Sequence, residues 1–133
     1  MTLTGAPVEL VQSLYQAFGR GDVAYITERV TPDCEWVSAG EGLPYAGTFR
    51  GPQGVAEFFR KLVLNENITH FEPREFYSSG DNVVVLGSEA CTVVSTGKPV
   101  KTNWCMVFRI RAGKVAYWEC QFDTLSYYKA YQK

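Results

Sequence analysis

The chain has 133 residues, 46% hydrophobic and 14% aromatic, with 13 Lys and Arg against 14 Asp and Glu for a net charge of −1. This length fits one domain over residues 1–133 that buries roughly two-thirds of its unfolded surface, and an unclustered, near-neutral charge argues against nucleic acid as a partner. No apolar run is long enough to cross a bilayer, and the opening MTLTGAPVEL has no basic stretch followed by an apolar core, so a cytoplasmic protein without a membrane partner is expected.

An amphipathic helix is predicted over 7–19, with Pro7 in its first turn and Val8, Val11, Leu14, Tyr15 and Phe18 at helical spacing. Asp22 caps a second helix over 23–30, and Thr31-Pro32-Asp33 breaks the chain before a strand over 34–38 that carries Cys34, Trp36 and Ser38 on one face. Residues 39–49, AGEGLPYAGTF, read as a covering loop. A third helix over 53–64 presents Val55, Phe58, Phe59 and Leu62 as its apolar stripe. The period then changes to two, with strands over 69–77, 82–95, 100–111 and 115–122 and a helical turn over 126–131. Three helices ahead of a meander give an α+β domain: a cone-shaped α+β barrel, its N-terminal helices packed on a curved, mostly antiparallel sheet.

The last two strands meet at Arg111-Ala112-Gly113-Lys114, where Gly113 supplies the positive φ a tight turn needs. Pairing Ile110 with Val115 places Trp104, Met106, Phe108, Val115, Tyr117, Glu119, Gln121 and Asp123 on one face. The other face then carries Cys105, Val107, Arg109, Trp118, Cys120 and Phe122. The first face is expected to line a cavity with Tyr15, Trp36, Ser38 and Phe58, closed by Leu43, Pro44 and Tyr45, for a small hydrophobic molecule. The second, through Val107, Trp118, Cys120 and Phe122, is expected to form a homodimer. Cys34, Cys91, Cys105 and Cys120 read as reduced core residues, with Cys105 and Cys120 facing each other across the hairpin. No C-x-x-C spacing and a lone His70 give no metal site.

Five stretches carry a family resemblance: GRGD at 19–22, TPDCEW at 31–36, LPYAGTFRGPQGV at 43–55, GDNVVVLG at 80–87 and WCMVFRIRAGKVAYWECQFD at 104–123. With the order of elements, they make the chain resemble the nuclear transport factor 2-like superfamily, in the branch of SnoaL-like polyketide cyclases, ketosteroid isomerases and limonene epoxide hydrolases. The resemblance implies the cone fold and leaves the reaction open, because one scaffold hosts many chemistries. Ser38 falls where ketosteroid isomerases carry a general-base Asp, Met106 where they carry a protonated acid and Leu14 where they carry a Tyr, with Tyr15 one place off, so steroid isomerisation by that mechanism is not implied. The epoxide hydrolases' closing W-x-x-x-F-D matches Trp118, Phe122 and Asp123, and their Tyr and Asn align with Trp36 and Ser38. Their second Asp aligns near Glu89 and their bridging Arg near Gly87.

The resemblance thus implies Asp123 and then Glu89 as the acid/base carboxyls and no cofactor, and together with the strand and helix faces it gives Trp36, Ser38, Tyr15, Phe58, Trp104, Met106, Glu119 and Gln121 as the expected residues around the substrate. Three function classes remain: a cofactor-free isomerase, cyclase or hydrolase, a non-catalytic binder, and a dimerising interaction module. A raised carboxyl pKa in the cavity favours the first; a cavity filled by side chains favours the last.

Overall fold

The computed structural model describes residues 5–133, so part of the N-terminal reading, residues 1–4, lies outside the described residues. The elements run α1 (Ala6–Gly19), α2 (Val23–Thr27), β1 (Val30–Ser38), β2 (Gly47–Arg50), α3 (Gly51–Asn65), β3 (Glu66–Ser79), β4 (Asn82–Val93), β5 (Pro99–Arg111), β6 (Lys114–Phe122) and α4 (Thr124–Tyr131). One six-stranded sheet has the order β2-β1-β6-β5-β4-β3, antiparallel except where β1 runs parallel to β6. The architecture is the expected α+β cone, with a sheet that curls without its edge strands β2 and β3 pairing to close it. No helix among the described residues is long and apolar enough to cross a membrane.

Local chemistry explains the helices. The Asp22 carboxylate accepts the Tyr25 backbone N–H at 3.1 Å, satisfying an orphan donor of α2. Pro7 and Pro52 sit in the first turns of α1 and α3, where a missing N–H costs nothing. Val8, Val11 and Leu14 of α1 and Val55, Phe58 and Phe59 of α3 are buried against the concave sheet face.

Several boundaries differ from the sequence reading, and the expected covering loop over 39–49 ends in the edge strand β2, which pairs with β1 from Gly47 to Arg50. The second helix stops at Thr27, and Val30 already pairs with Val115. The strand therefore runs through Pro32, which lies where the β1–β6 register shifts between Val30 and Glu35 and no ladder N–H is required of it. The tail becomes an eight-residue helix, α4, capped by Asp123.

The largest correction is in the hairpin. The turn forms as expected, with positive φ at Gly113 (77°) and also at Ala112 (51°), the pairing of signs that suits a tight hairpin. Ile110 opposes Val115, but Arg109 then opposes Tyr117, so Ala116 is an extra residue in a β-bulge. From there every side chain changes face. Trp118, Cys120 and Phe122 join Trp104, Met106 and Phe108 on the concave side, while Tyr117, Glu119 and Gln121 share the convex side with Cys105 and Val107. Of the expected dimer face, Val107 alone stays convex; Trp118 and Cys120 are buried in the core. Cys105 faces Gln121 rather than Cys120, and all four cysteines are free.

Candidate functional site

The curled sheet and the helices do not meet completely. Between them remains a small cavity of about 80 Å³, lined by Leu14, Tyr15 and Phe18 of α1, Phe58 and Phe59 of α3, and inward residues of five strands, so a ligand the size of an aromatic ring would have to displace side chains to enter it. Its walls are largely aromatic. Trp36 stacks on Trp118 at 4.4 Å because the parallel β1–β6 register sets them side by side, and Phe58 meets both edge-on or tilted at 6.2 and 5.4 Å. Tyr45, from the 39–46 loop, is 3% exposed and closes one side, with Leu43 buried beneath the same loop.

Two carboxyl groups reach this apolar space. Glu89 is on β4, where Val85, Gly87, Glu89 and Cys91 alternate inward, and Glu66 begins β3. Glu66 is 4% exposed and accepts hydrogen bonds from the Tyr131 hydroxyl at 2.7 Å and the Cys91 thiol at 3.6 Å. Burial raises its pKa, while hydrogen bonds from Tyr45, Tyr131 and Cys91 pull it back. Glu89 has fewer supports. Burial pushes its pKa up to about 7, the Glu66 charge adds to this, and the Tyr127 hydroxyl partly offsets it. That hydroxyl is wholly buried and makes no hydrogen bond of good geometry, yet it lies near enough to ease ionisation of Glu89. Burial also holds Tyr15, Tyr45 and Cys120 above their ordinary ranges, so these stay protonated at neutral pH.

The residues singled out in the sequence separate into three groups. Tyr15, Trp36, Ser38, Phe58, Met106 and Glu89 line one cavity. Trp104 stands behind it, stacked on Phe71 at 5.2 Å and on Tyr15 at 5.9 Å. Its indole lies across Gly87, where a Cβ would come within 2.4 Å of the ring, so the position aligned with the bridging Arg has no room for any side chain. Glu119, Gln121 and Asp123 are outside the cavity, contrary to expectation. The bulge turns Glu119 and Gln121 to the convex face, where Glu119 accepts hydrogen bonds from Tyr117 and Gln121, each at 3.1 Å. Asp123 ends β6 as the N-cap of α4, accepting the Ser126 N–H at 3.1 Å and its hydroxyl at 2.6 Å. Those bonds hold its carboxyl below the usual range, the reverse of the expected desolvated acid.

Sequence reasoning missed Glu66, Tyr127 and Tyr131. Counting alternate residues back from Phe71 puts Thr69 and Asn67 inside, but a register shift between Ile68 and His70 brings Ile68 and Glu66 inward instead. Tyr15 has only a weak partner: its hydroxyl donates to the Met106 thioether at 3.2 Å, a bond a ligand oxygen would readily replace.

A family model described as SnoaL-like domain matches residues 11–118. Among solved structures, an NTF2-like protein from Burkholderia xenovorans LB400 is 31% identical, covering 96% of this chain and 96% of that one with a TM-score of 0.88. An NTF2-like protein from Burkholderia thailandensis E264 is 30% identical, covering 98% and 100% with a TM-score of 0.89. TerC, co-crystallized with polyporic acid, is 27% identical, covering 95% and 98% with a TM-score of 0.85. No curated protein matches the sequence.

Proposed function

The chain belongs to the SnoaL-like domain family of the nuclear transport factor 2-like superfamily, and from that premise we propose that it is a cofactor-free acid/base enzyme acting on a small apolar molecule, with Glu89 as the proton-transferring group. The observation that carries this is a carboxyl group with a pKa of about 7 inside an aromatic cavity. A group that must both take and return a proton works best when its pKa lies near the operating pH. The aromatic walls would hold the ligand by its faces, and the Tyr15 hydroxyl would leave Met106 for a ligand oxygen. Ionised Glu89 would then remove a proton from a carbon beside that oxygen and deliver the same proton to a second position. Proton removed and proton returned balance, as an isomerisation or ring closure requires. The co-crystallization of TerC with polyporic acid supports reading the cavity as a ligand site.

A second reading, non-catalytic binding of the same kind of ligand, is favoured by Ser38 and Gly87 standing where the resembling enzymes carry a base and an Arg. One experiment separates the two. Small aromatic carbonyl compounds are screened for binding by ligand-observed NMR, and binders are followed in D₂O for exchange at the carbon next to the carbonyl. The wild type should exchange, more rapidly as pH rises through about 7, and Glu89→Gln should bind comparably but exchange roughly 10²-fold or more slowly. Equal exchange by Glu89→Gln would refute the enzymatic role; binding without exchange by the wild type would favour the binder.

A further inference from the structure

The buried Glu66 and the half-buried Glu89 have unequal surroundings, and the inequality comes largely from α4. Two side-chain donors converge on Glu66: the Tyr131 hydroxyl from the last turn of α4 at 2.7 Å and the Cys91 thiol at 3.6 Å, with the Tyr45 hydroxyl near enough to favour its charged form. An ionised carboxylate, which only accepts, is the form such a cage suits. Glu89 has one nearby hydroxyl, Tyr127, one helical turn before Tyr131 in α4, and no full hydrogen bond from it. Neither carboxyl has a cationic partner among the described residues. We infer that Tyr131 and Glu66 are a positioning pair for Glu89: the Tyr131 hydroxyl favours the charged form of Glu66 against the burial that opposes it, and a charged Glu66 holds the exchangeable proton on Glu89.

This rests on the reading of Glu89 as the proton carrier and adds what sets its proton affinity. On the cavity side the other titratable groups near Glu89 are Cys91 of its own strand, Cys120 of β6 and Tyr127 of α4, and burial holds the pKa of each above its ordinary range, so they remain neutral beside it; on the outer side Glu89 also lines an open surface pocket with His70 of β3, Lys101 of β5 and Asp123, none of them within ion-pair distance. Glu66 is therefore the one neighbour whose charge acts on Glu89, and the direction of its effect, upward, agrees. In this arrangement α4 acts from behind the cavity wall, through hydroxyls that reach the carboxyls, and none of its residues lines the cavity itself. It is fastened by the Thr96 hydroxyl donating to the Ala130 carbonyl at 2.6 Å and by the Lys98 ammonium donating to the Gln132 carbonyl at 2.5 Å. Loosening either fastening would withdraw donors from Glu66.

The test is a carboxyl ¹³C NMR titration of the full chain labelled at glutamate, with the two signals assigned through Glu89→Gln and Glu66→Gln. Glu66→Gln, an isosteric change, should lower the Glu89 midpoint by roughly one pH unit. Tyr131→Phe, which removes one oxygen from an otherwise unchanged ring, should raise the Glu66 midpoint and lower that of Glu89, drawing the two steps together. A Glu89 midpoint unmoved by Glu66→Gln overturns the inference, and so does Tyr131→Phe leaving both midpoints in place. Because the titration uses no substrate, lost coupling alongside an inactive Glu89→Gln defeats this inference alone. Intact coupling alongside a fully active Glu89→Gln defeats only the enzymatic reading.

Discussion

Replacing Glu89 by Gln removes one buried charge and keeps the shape of the side chain. In the folded chain Glu89 titrates at about 7 against an ordinary 4.5, because burial and the Glu66 charge oppose its ionisation. Between those values the folded state holds a proton that the unfolded chain has released. Stability from this group is therefore fully present below about 4.5, is lost as pH rises through about 7, and is flat above. The gap corresponds to about 3 kcal/mol at about 1.36 kcal/mol per pH unit, or roughly 10 °C in Tm for a chain of this size. Glu89→Gln cannot titrate and should lack this slope. The two proteins should be of similar stability near pH 5, and the variant should be the more stable at pH 8. Urea unfolding across that range, compared at constant m-value, reads the difference directly. Curves that run parallel from pH 5 to 8 would show that Glu89 is solvated and that the proton-transfer role has lost its basis.

Gly87→Ala would force a Cβ to within 2.4 Å of both the Trp104 ring and the Glu72 carbonyl oxygen, so a loss of about 2 kcal/mol or more is expected; an unchanged thermal midpoint would refute that packing. Phe58 is 5% exposed and contacts Trp36, Tyr45, Phe49, Phe59 and Trp118. Phe58→Ala should cost about 3–5 kcal/mol in urea unfolding and enlarge the cavity. Asp123→Ala should weaken α4 through its lost cap, while Asp123→Asn, able to accept the same bond, should not; because hydrogen bonding lowers the Asp123 pKa, the cap's contribution should persist above pH 4 and fade as pH falls below it. Neither Asp123 variant should change exchange by a factor approaching that of Glu89→Gln, and abolished exchange in a folded Asp123→Asn would restore Asp123 as the proton carrier.

Much of the fold was written locally. Helical spacing from Val8 to Phe18 and from Val55 to Leu62, the Asp22 cap, and two-residue alternation after residue 69 are short-range patterns, and each settles an element without knowledge of its neighbours. The same locality made Tyr15, Trp36, Ser38, Phe58 and Met106 legible as one lining, since all sit on regular elements in phase with buried neighbours, whereas Glu89 came only from the family resemblance. What the sequence could not specify were the places where that phase breaks. Ala116 carries no mark of a bulge, yet one added residue moves Glu119 and Gln121 to the convex face and Trp118 and Cys120 into the core. The shift between Ile68 and His70 similarly turns Glu66 inward. Bulges arise because a sheet must curl over its helices, a requirement of the whole assembly that no single strand records. Only the tertiary structure, by packing α4 against β5 with Tyr131 reaching Glu66, decided that Glu66 and Glu89 would share one cavity while Asp123 remained at the surface as a cap.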